Sequence, residues 1–569
     1  MVIFFVCVAL LLAGYFFYGS LMEKIFVIKP QRQTPAYTMS DSVDYVPLPR
    51  WKVWLIQVLN IAGTGPIFGP ILGAIWGPVA MLWIVVGCIF AGAVHDYFCG
   101  MISLRNGGAS IPTMSGRYIG RPMKHIINAL ALILLVLVGV VFVRTPADLL
   151  TRLTETVLNS GAGAGAAVGS VSESATGVST DTLTLIWVCI IFAYYIIATL
   201  LPIDKIIGRI YPIFGALLMF MTAGMLFGLI FEGIPAFRTV GLQDGVSLSD
   251  FFHNFYPPAN PIAKFQPLLY LCGGDFIVYL HQYLDLNHLN KIGVTAAYTM
   301  PIWPLIFVTI TCGAISGFHA TQTPMMARCT ENEREARFIF YGAMITEGVI
   351  ALIWCMVGIS FYPEIQALLA ATAKSPAPVV YDSAVAMLGK LGGMLAVLGV
   401  VVLPITSGDT AFRAARLQLA EFLNDHGVNA DQRQLLKRLY ITIPLFVIGI
   451  ALTTINFDVL WRYFSWANQT VATIMLWTAA AYLYRHGKLH WVCTIPAIVM
   501  TQICACYLFF NPVIGFGWVW AKIGLGNSVW EASMTCGAIV AAVFTVWFFA
   551  AFKPDHAKAL SGTAPVLDD

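Results

Sequence analysis

Apolar runs about as long as a bilayer is thick alternate with shorter polar stretches along almost the whole chain. A helix needs about 20 mostly apolar residues to cross the hydrocarbon core. Thirteen runs qualify: 2–19, 54–76, 78–103, 126–145, 183–201, 210–231, 300–320, 337–360, 386–405, 438–455, 464–484, 491–511 and 534–552. The pattern predicts an all-α polytopic membrane protein. Two of the runs are interrupted at their centres. In the first, Gly63, Gly65, Pro66, Gly69 and Pro70 are poor material for an unbroken helix. In the second the interruption falls at Gly313, Ser316, Gly317 and His319. A broken backbone in hydrocarbon survives only against protein or a wet cavity. One such break is as compatible with close packing through small residues as with a site. Two of them, far apart in the chain, point to an inverted-repeat transporter that binds its cargo at mid-membrane.

Charge sets the expected topology. The apolar piece 265–280 contains Gly273-Gly274-Asp275 and is short for a crossing. Read as re-entrant or interfacial, with the N-terminus outside, it leaves loops 20–53, 104–125, 202–209, 321–336, 406–437 and 485–490 and the tail from 553 inside. These carry 21 Lys and Arg, against 7 in the outside loops, as the positive-inside rule requires. The chain then divides into an anchor helix with a cytoplasmic loop (1–53), a first five-helix repeat (54–231) and an external loop (232–299). A second, inverted five-helix repeat (300–484) and two extra helices with a cytoplasmic tail (485–569) follow. A repeat with an odd number of crossings must invert. Loop 146–182, with its Gly/Ala alternation at 161–167, reads as a flexible external linker, and 232–299 as a lid or a packed plug.

Composition narrows the function. Of 569 residues, 59% are hydrophobic and 11% charged, against about 25% charged in a soluble domain. The net charge of +3 and the lack of any basic face or finger motif argue against nucleic acid as a partner. There is no HExxH, no GxSxG and no soluble catalytic domain, so an enzyme is not expected, nor is a cofactor. No charged ring suggests a channel. A nutrient sensor built on a transporter frame stays open. The 12 cysteines lie mostly in apolar runs without a CxxC pair and read as small buried hydrophobes. Val2–Tyr18 has no preceding basic residue and no small-x-small cleavage site, so it reads as a retained anchor.

The stretches IAGTGPIFGP (61–70), GAVHDYF (92–98), CGAISGFHATQTPMMARC (312–329), ITSGDTAFRAARL (405–417) and FSWANQT (464–470) resemble the carbon starvation protein A family. The resemblance runs from about residue 50 to residue 480. It implies a bacterial inner-membrane uptake system of broken-helix, amino-acid-transporter-like architecture, a 5+5 inverted repeat, associated with pyruvate and with small peptides. Two positions depart from the pattern. Gln57-Val58-Leu59-Asn60 stands where longer members carry a His-His pair, and His95 where Gln is expected.

The candidate site residues fall into three groups. For a substrate, the first break supplies Asn60, Gly63, Thr64 and Gly65. The second supplies Ser316, His319, Thr321 and Gln322, and the last repeat helix Asn468 and Gln469. Half-helix N-termini add partial positive charge suited to a carboxylate. For ion or proton coupling, Asp96 with His95, and Glu347 as a rival proton site, are carboxylates deep in apolar runs, which is costly without a partner or a cavity. The plainer alternative ties Asp96 to Arg105. Thr406, Ser407, Asp409 and Thr410 close the run 386–405. The resembled architecture forms a cation site there with carbonyls of the first break, which suits Na⁺ or, through Asp409, a proton. Helix capping and an Asp409–Arg413 pair are the alternative. Finally, His281, Asp285 and His288 would share one helix face at metal-compatible spacing. The function expected is import of a small carboxylate such as pyruvate by symport with H⁺ rather than Na⁺, with peptide or amino-acid uptake as the alternative.

Overall fold

The computed structural model describes residues 2–41, 44–160, 179–200, 203–231, 302–362, 365–373, 375–425, 435–524 and 529–552. The longer helices are α1 (Ile3–Phe26), α2 (Arg50–Ile61), α3 (Gly65–Trp76) and α4 (Pro78–Arg105), then α5 (Arg121–Ser160), α6 (Thr180–Leu200) and α7 (Ile203–Phe231). After them come α8 (Ile302–Thr309) and α9 (Gly317–Ala327), α10 (Glu333–Ser360), α11 (Ala377–Asp425), α12 (Leu435–Leu452), α13 (Phe457–Arg485), α14 (Trp491–Phe510) and α15 (Val529–Ala551). Each of the thirteen predicted runs contains helix. Among the described residues nine helices are long and apolar enough to cross a membrane, or ten if the bent pair α2–α3 is one span. No strand occurs among them, only an isolated bridge between Leu48 and Thr330.

Both expected breaks are present. The chain bends by 47° between α2 and α3. Gly63 N–H turns back to the Ile61 carbonyl at 2.9 Å, so the Leu59 carbonyl loses its helical partner. Between α8 and α9 residues 310–316 leave the helix, and Gly313 takes φ +87°, a conformation that glycine adopts without strain. The freed groups find protein partners, as a break inside a membrane must. Trp83 Nε1 donates to the Ile310 carbonyl (3.1 Å), Gly313 N–H to Glu347 Oε1 (3.1 Å) and Phe318 N–H to Asn468 Oδ1 (2.7 Å). The breaks touch directly: a Cβ on Gly65 would sit 2.3 Å from Cys312 Sγ. The two breaks are packed against each other.

Helix ends differ from the hydropathy pattern. The expected linker from 146 is helical as far as Ser160, and the expected loop from 406 is helical as far as Asp425. Leu149, Leu150 and Leu153 in the first, and Leu419, Phe422 and Leu423 in the second, keep a helical apolar stripe after the mean hydropathy has fallen. Hydropathy marks where hydrocarbon ends, not where the helix ends. Thr406, Ser407, Asp409 and Thr410 are therefore interior to α11 and do not cap it. Thr321 and Gln322 lie in half-helix α9, not in a loop. The 265–280 element, most of loop 232–299 and the 161–167 run fall outside the described residues.

Four segments meet at the end of the bundle expected to face the cytoplasm. Arg105 grips Glu333 with two hydrogen bonds (Nε–Oε1 3.0 Å, Nη2–Oε2 2.9 Å) and donates to the Val27 carbonyl at 2.8 Å. Lys29 N–H donates to Glu333 Oε2 at 2.6 Å. The Arg105 guanidinium stacks 4.3 Å over the Phe26 ring, and the Lys488 ammonium donates to the Phe26 carbonyl. Asp96 has no part in this cluster.

Candidate functional site

Four titratable side chains form one buried chain beside the second break. His95 Nδ1 lies 2.8 Å from Asp96 Oδ1, and His319 Nδ1 lies 2.9 Å from Asp96 Oδ2. On its other side, His319 Nε2 is 3.2 Å from Glu347 Oε2. Glu347 Oε1 then accepts the Gly313 N–H. All four side chains are fully buried. Asp96 and Glu347 were rival candidates in the sequence, and His319 belonged to the substrate group. The structure joins them, because α4, α9 and α10 pack around the break. Close approach is built into the glycines: a Cβ on Gly92 would meet the Ala314 carbonyl at 2.2 Å.

The chain joins titratable side chains to the backbone of the break. A neutral imidazole can donate from one nitrogen only, an imidazolium from both. With both ring nitrogens facing carboxylates, one proton more or less decides which side of His319 is held. One of those sides is the carboxylate that anchors Gly313.

The polar side chains at the breaks are only partly satisfied. Gln57 Nε2 donates to Thr323 Oγ1 (3.1 Å), Gln322 Nε2 to Thr321 Oγ1 (2.9 Å) and Gln469 Nε2 to the Phe307 carbonyl (2.6 Å). Their amide oxygens have no hydrogen-bond partner, nor do either polar atom of Asn60, the Thr64 hydroxyl and the Ser465 hydroxyl. Buried polar atoms without partners are costly and mark places for water, ions or ligands. Ser316 and Asn468 are engaged: Ser316 Oγ donates to Asn468 Oδ1 at 3.1 Å. Gln57 is not among the candidate site residues; in the sequence it only opens the stretch that departs from the family pattern.

The α11 hydroxyls meet the first break. Thr406 and Ser407 both donate to the Leu59 carbonyl at 3.0 Å, the carbonyl freed where α2 ends. Thr410 bonds back within α11 to the Thr406 and Ser407 carbonyls. Asp409 is fully buried and accepts from the Tyr194 hydroxyl at 3.4 Å. The resemblance placed carbonyls of the first break beside these hydroxyls without saying which, and Leu59 supplies one; Tyr194 was not anticipated. His281, Asp285 and His288 lie outside the described residues. Among those described, Cys312, His319 and Glu347 place a sulfur, a nitrogen and an oxygen within 4.8 Å of one another.

A cavity of about 360 Å³ opens beside α9 and the far end of α11, lined among others by Tyr45, Thr321, Met325, Arg328, Gln418 and Glu421. It reaches Thr321, two residues along α9 from His319.

Known proteins agree with this architecture. The L-phenylalanine complex of MhsT superposes with a TM-score of 0.50 at 14% identity, covering 88% of this chain and 98% of that one. At that identity the likeness concerns the fold alone. A membrane protein of Haemophilus influenzae is 54% identical over 64% of this chain and 92% of its own length. The peptide transporter CstA of Escherichia coli is 24% identical over 89% of this chain and 80% of its own. The pyruvate/proton symporter BtsT of Escherichia coli is 27% identical over 61% of this chain, and the match spans 47% of that longer protein. The sequence profile described as Carbon starvation protein CstA matches residues 1–164, 272–392 and 373–506. The chain is a multi-span membrane protein of the carbon starvation protein CstA family, a family of bacterial transporters.

Proposed function

We propose that this protein is a secondary transporter of the bacterial inner membrane that imports a small carboxylate such as pyruvate together with H⁺. The observation that carries the reading is the buried chain His95–Asp96–His319–Glu347 ending on the Gly313 N–H. It supports a coupling device in which a proton taken from outside changes how the second broken helix is held. The substrate then lies against the two breaks, with Asn60, Thr64 and Gln322 offering polar contacts and the cavity beside Thr321 serving as the way to the cytoplasm. The α11 hydroxyls and the Leu59 carbonyl support Na⁺ as the rival coupling ion, since hard oxygen donors suit it. A monoanion entering with one proton moves no net charge, so only the pH gradient drives it. A second proton adds about 2.3 kcal/mol per 100 mV of membrane potential.

A second reading has its own support. The unpartnered amide oxygens of Gln57, Gln322 and Gln469 are acceptors, which suit the N–H groups of an amino acid or small peptide. Reconstituted vesicles given labelled pyruvate, alanine or a dipeptide, under either a pH gradient or a Na⁺ gradient, separate the readings. Pyruvate accumulation under the pH gradient alone is expected. Accumulation of the dipeptide only would replace the substrate, dependence on Na⁺ only would replace the ion, and accumulation of none would leave a sensor.

The proposal includes the inverted 5+5 repeat, with N-terminus outside and C-terminus inside. Cysteines introduced near positions 30, 170 and 420 test it. Only the one near 170 is expected to react with an impermeant external reagent, and labelling near 420 would reverse the topology.

A further inference from the structure

We propose that Cys312, His319 and Glu347 form a binding site for a thiophilic divalent metal ion of the Zn²⁺ and Co²⁺ class. The three donor atoms lie within 4.8 Å of one another and are fully buried. His319 is presented as metal-binding histidines are. Its Nδ1 is held by the Asp96 carboxylate at 2.9 Å, which fixes the ring and leaves Nε2 directed at the other two donors. His95 holds the second oxygen of Asp96, so the support extends one residue further.

The contact between His319 and Glu347 is the second observation. Nε2 and Oε2 are 3.2 Å apart, yet neither atom makes a hydrogen bond. Two ligands of one tetrahedral ion, with bonds near 2.0–2.1 Å, stand roughly 3.3 Å apart. Without an ion the two atoms face each other as an ion pair, and their separation also fits two ligands of one ion. Charge agrees. Among the three ligands a thiolate and a carboxylate neutralise a divalent ion, which limits the cost of desolvating it. Asn468 Nδ2 lies 3.8 Å from Cys312 Sγ and supports the sulfur as its acceptor. Water completes the coordination.

Binding replaces the Cys312 thiol proton, released to solvent, with a metal–sulfur bond, and needs Glu347 and His319 Nε2 unprotonated. Metal and protons thus exclude each other at these atoms. Although the coupling proposal uses two of the same residues, metal binding in detergent, without substrate or gradient, is independent of it.

The test is titration of the purified full-length protein with Co²⁺. Expected are a thiolate-to-cobalt charge-transfer band in the near ultraviolet and visible ligand-field bands, saturating at one ion per chain and bleached by Zn²⁺. Cys312→Ser removes the near-ultraviolet band, Asp96→Asn weakens binding by about 10–100-fold, and Cys504→Ser leaves the spectrum unchanged. Absence of the thiolate band in the unaltered protein, or its survival in Cys312→Ser, overturns the site. Should Cys312→Ser not fold, Zn²⁺ must raise the thermal unfolding temperature of the unaltered protein in detergent. An unfolding temperature unchanged by Zn²⁺ overturns the proposal equally.

Discussion

Asp96→Asn and Glu347→Gln are each expected to stop proton-driven accumulation while leaving exchange of labelled for unlabelled substrate measurable. Each change keeps the side-chain shape but removes a carboxylate that faces His319, at 2.9 Å for Asp96 and 3.2 Å for Glu347. Breaking a buried pair costs about 3–5 kcal/mol because the remaining charge is left uncompensated. His319 then lacks one of its two carboxylate partners, and the expected loss of proton-coupled accumulation is on the order of a hundredfold or more, at about 1.4 kcal/mol per factor of ten. Exchange needs binding and reorientation but no net proton movement, so it separates a coupling role from a structural one. Accumulation retained by both variants would remove these carboxylates from the mechanism and turn attention to Thr406 and Ser407. Loss of exchange as well as accumulation would mark the chain as structural.

Glu333→Gln should be the most destabilising single change outside the candidate site. Glu333 is fully buried, with the Arg105 side chain 5% exposed, and its carboxylate holds Arg105 and the Lys29 N–H together. Removing the charge strands the guanidinium, at a cost of about 3–5 kcal/mol. The comparison is Glu23→Gln, which breaks the partly exposed pair with Arg337, worth about 0–1 kcal/mol. Thermal unfolding in detergent should show a large drop for the first and a small one for the second. Equal drops would contradict the assignment. The same cluster sets a pH dependence. Burial, with Arg105 and Lys29 nearby, pushes the Lys488 ammonium down from its ordinary 10.5 to about 8. The folded protein therefore disfavours the charged form. The penalty is complete below about 8 and relieved as pH rises toward the unfolded value, so stability should rise between about pH 8 and 10.5. Lys488→Met should flatten that rise, and an unchanged slope in the variant would assign it to another group.

Much of this architecture was legible in the chain, for an identifiable reason. Gly63, Gly65 and Gly313 interrupt helices in segments too apolar for loops, and only a broken span satisfies both facts. The breaks lie within a few residues of the expected places. The ends of α5 and α11 were not legible, because an amphipathic continuation past the membrane looks polar on average. Partnerships were harder still. His319 meets Asp96 across 223 positions, and Arg105 meets Glu333 across 228, separations over which one sequence gives no register. Reading Asp96 and Glu347 as rivals followed from treating each helix alone. Cys312 was read as filler because a lone cysteine in an apolar run has no local feature that distinguishes a ligand.

The central claim is that a proton and a small carboxylate cross together. Its most direct test is the pH inside vesicles that hold the purified protein and a trapped pH dye, in Na⁺-free medium with equal starting pH on both sides. Adding pyruvate outside should acidify the interior beyond the leak seen in protein-free vesicles, and Asp96→Asn and Glu347→Gln should abolish the excess. Pyruvate uptake with no acidification beyond the leak, or acidification only when Na⁺ is supplied, would contradict the account.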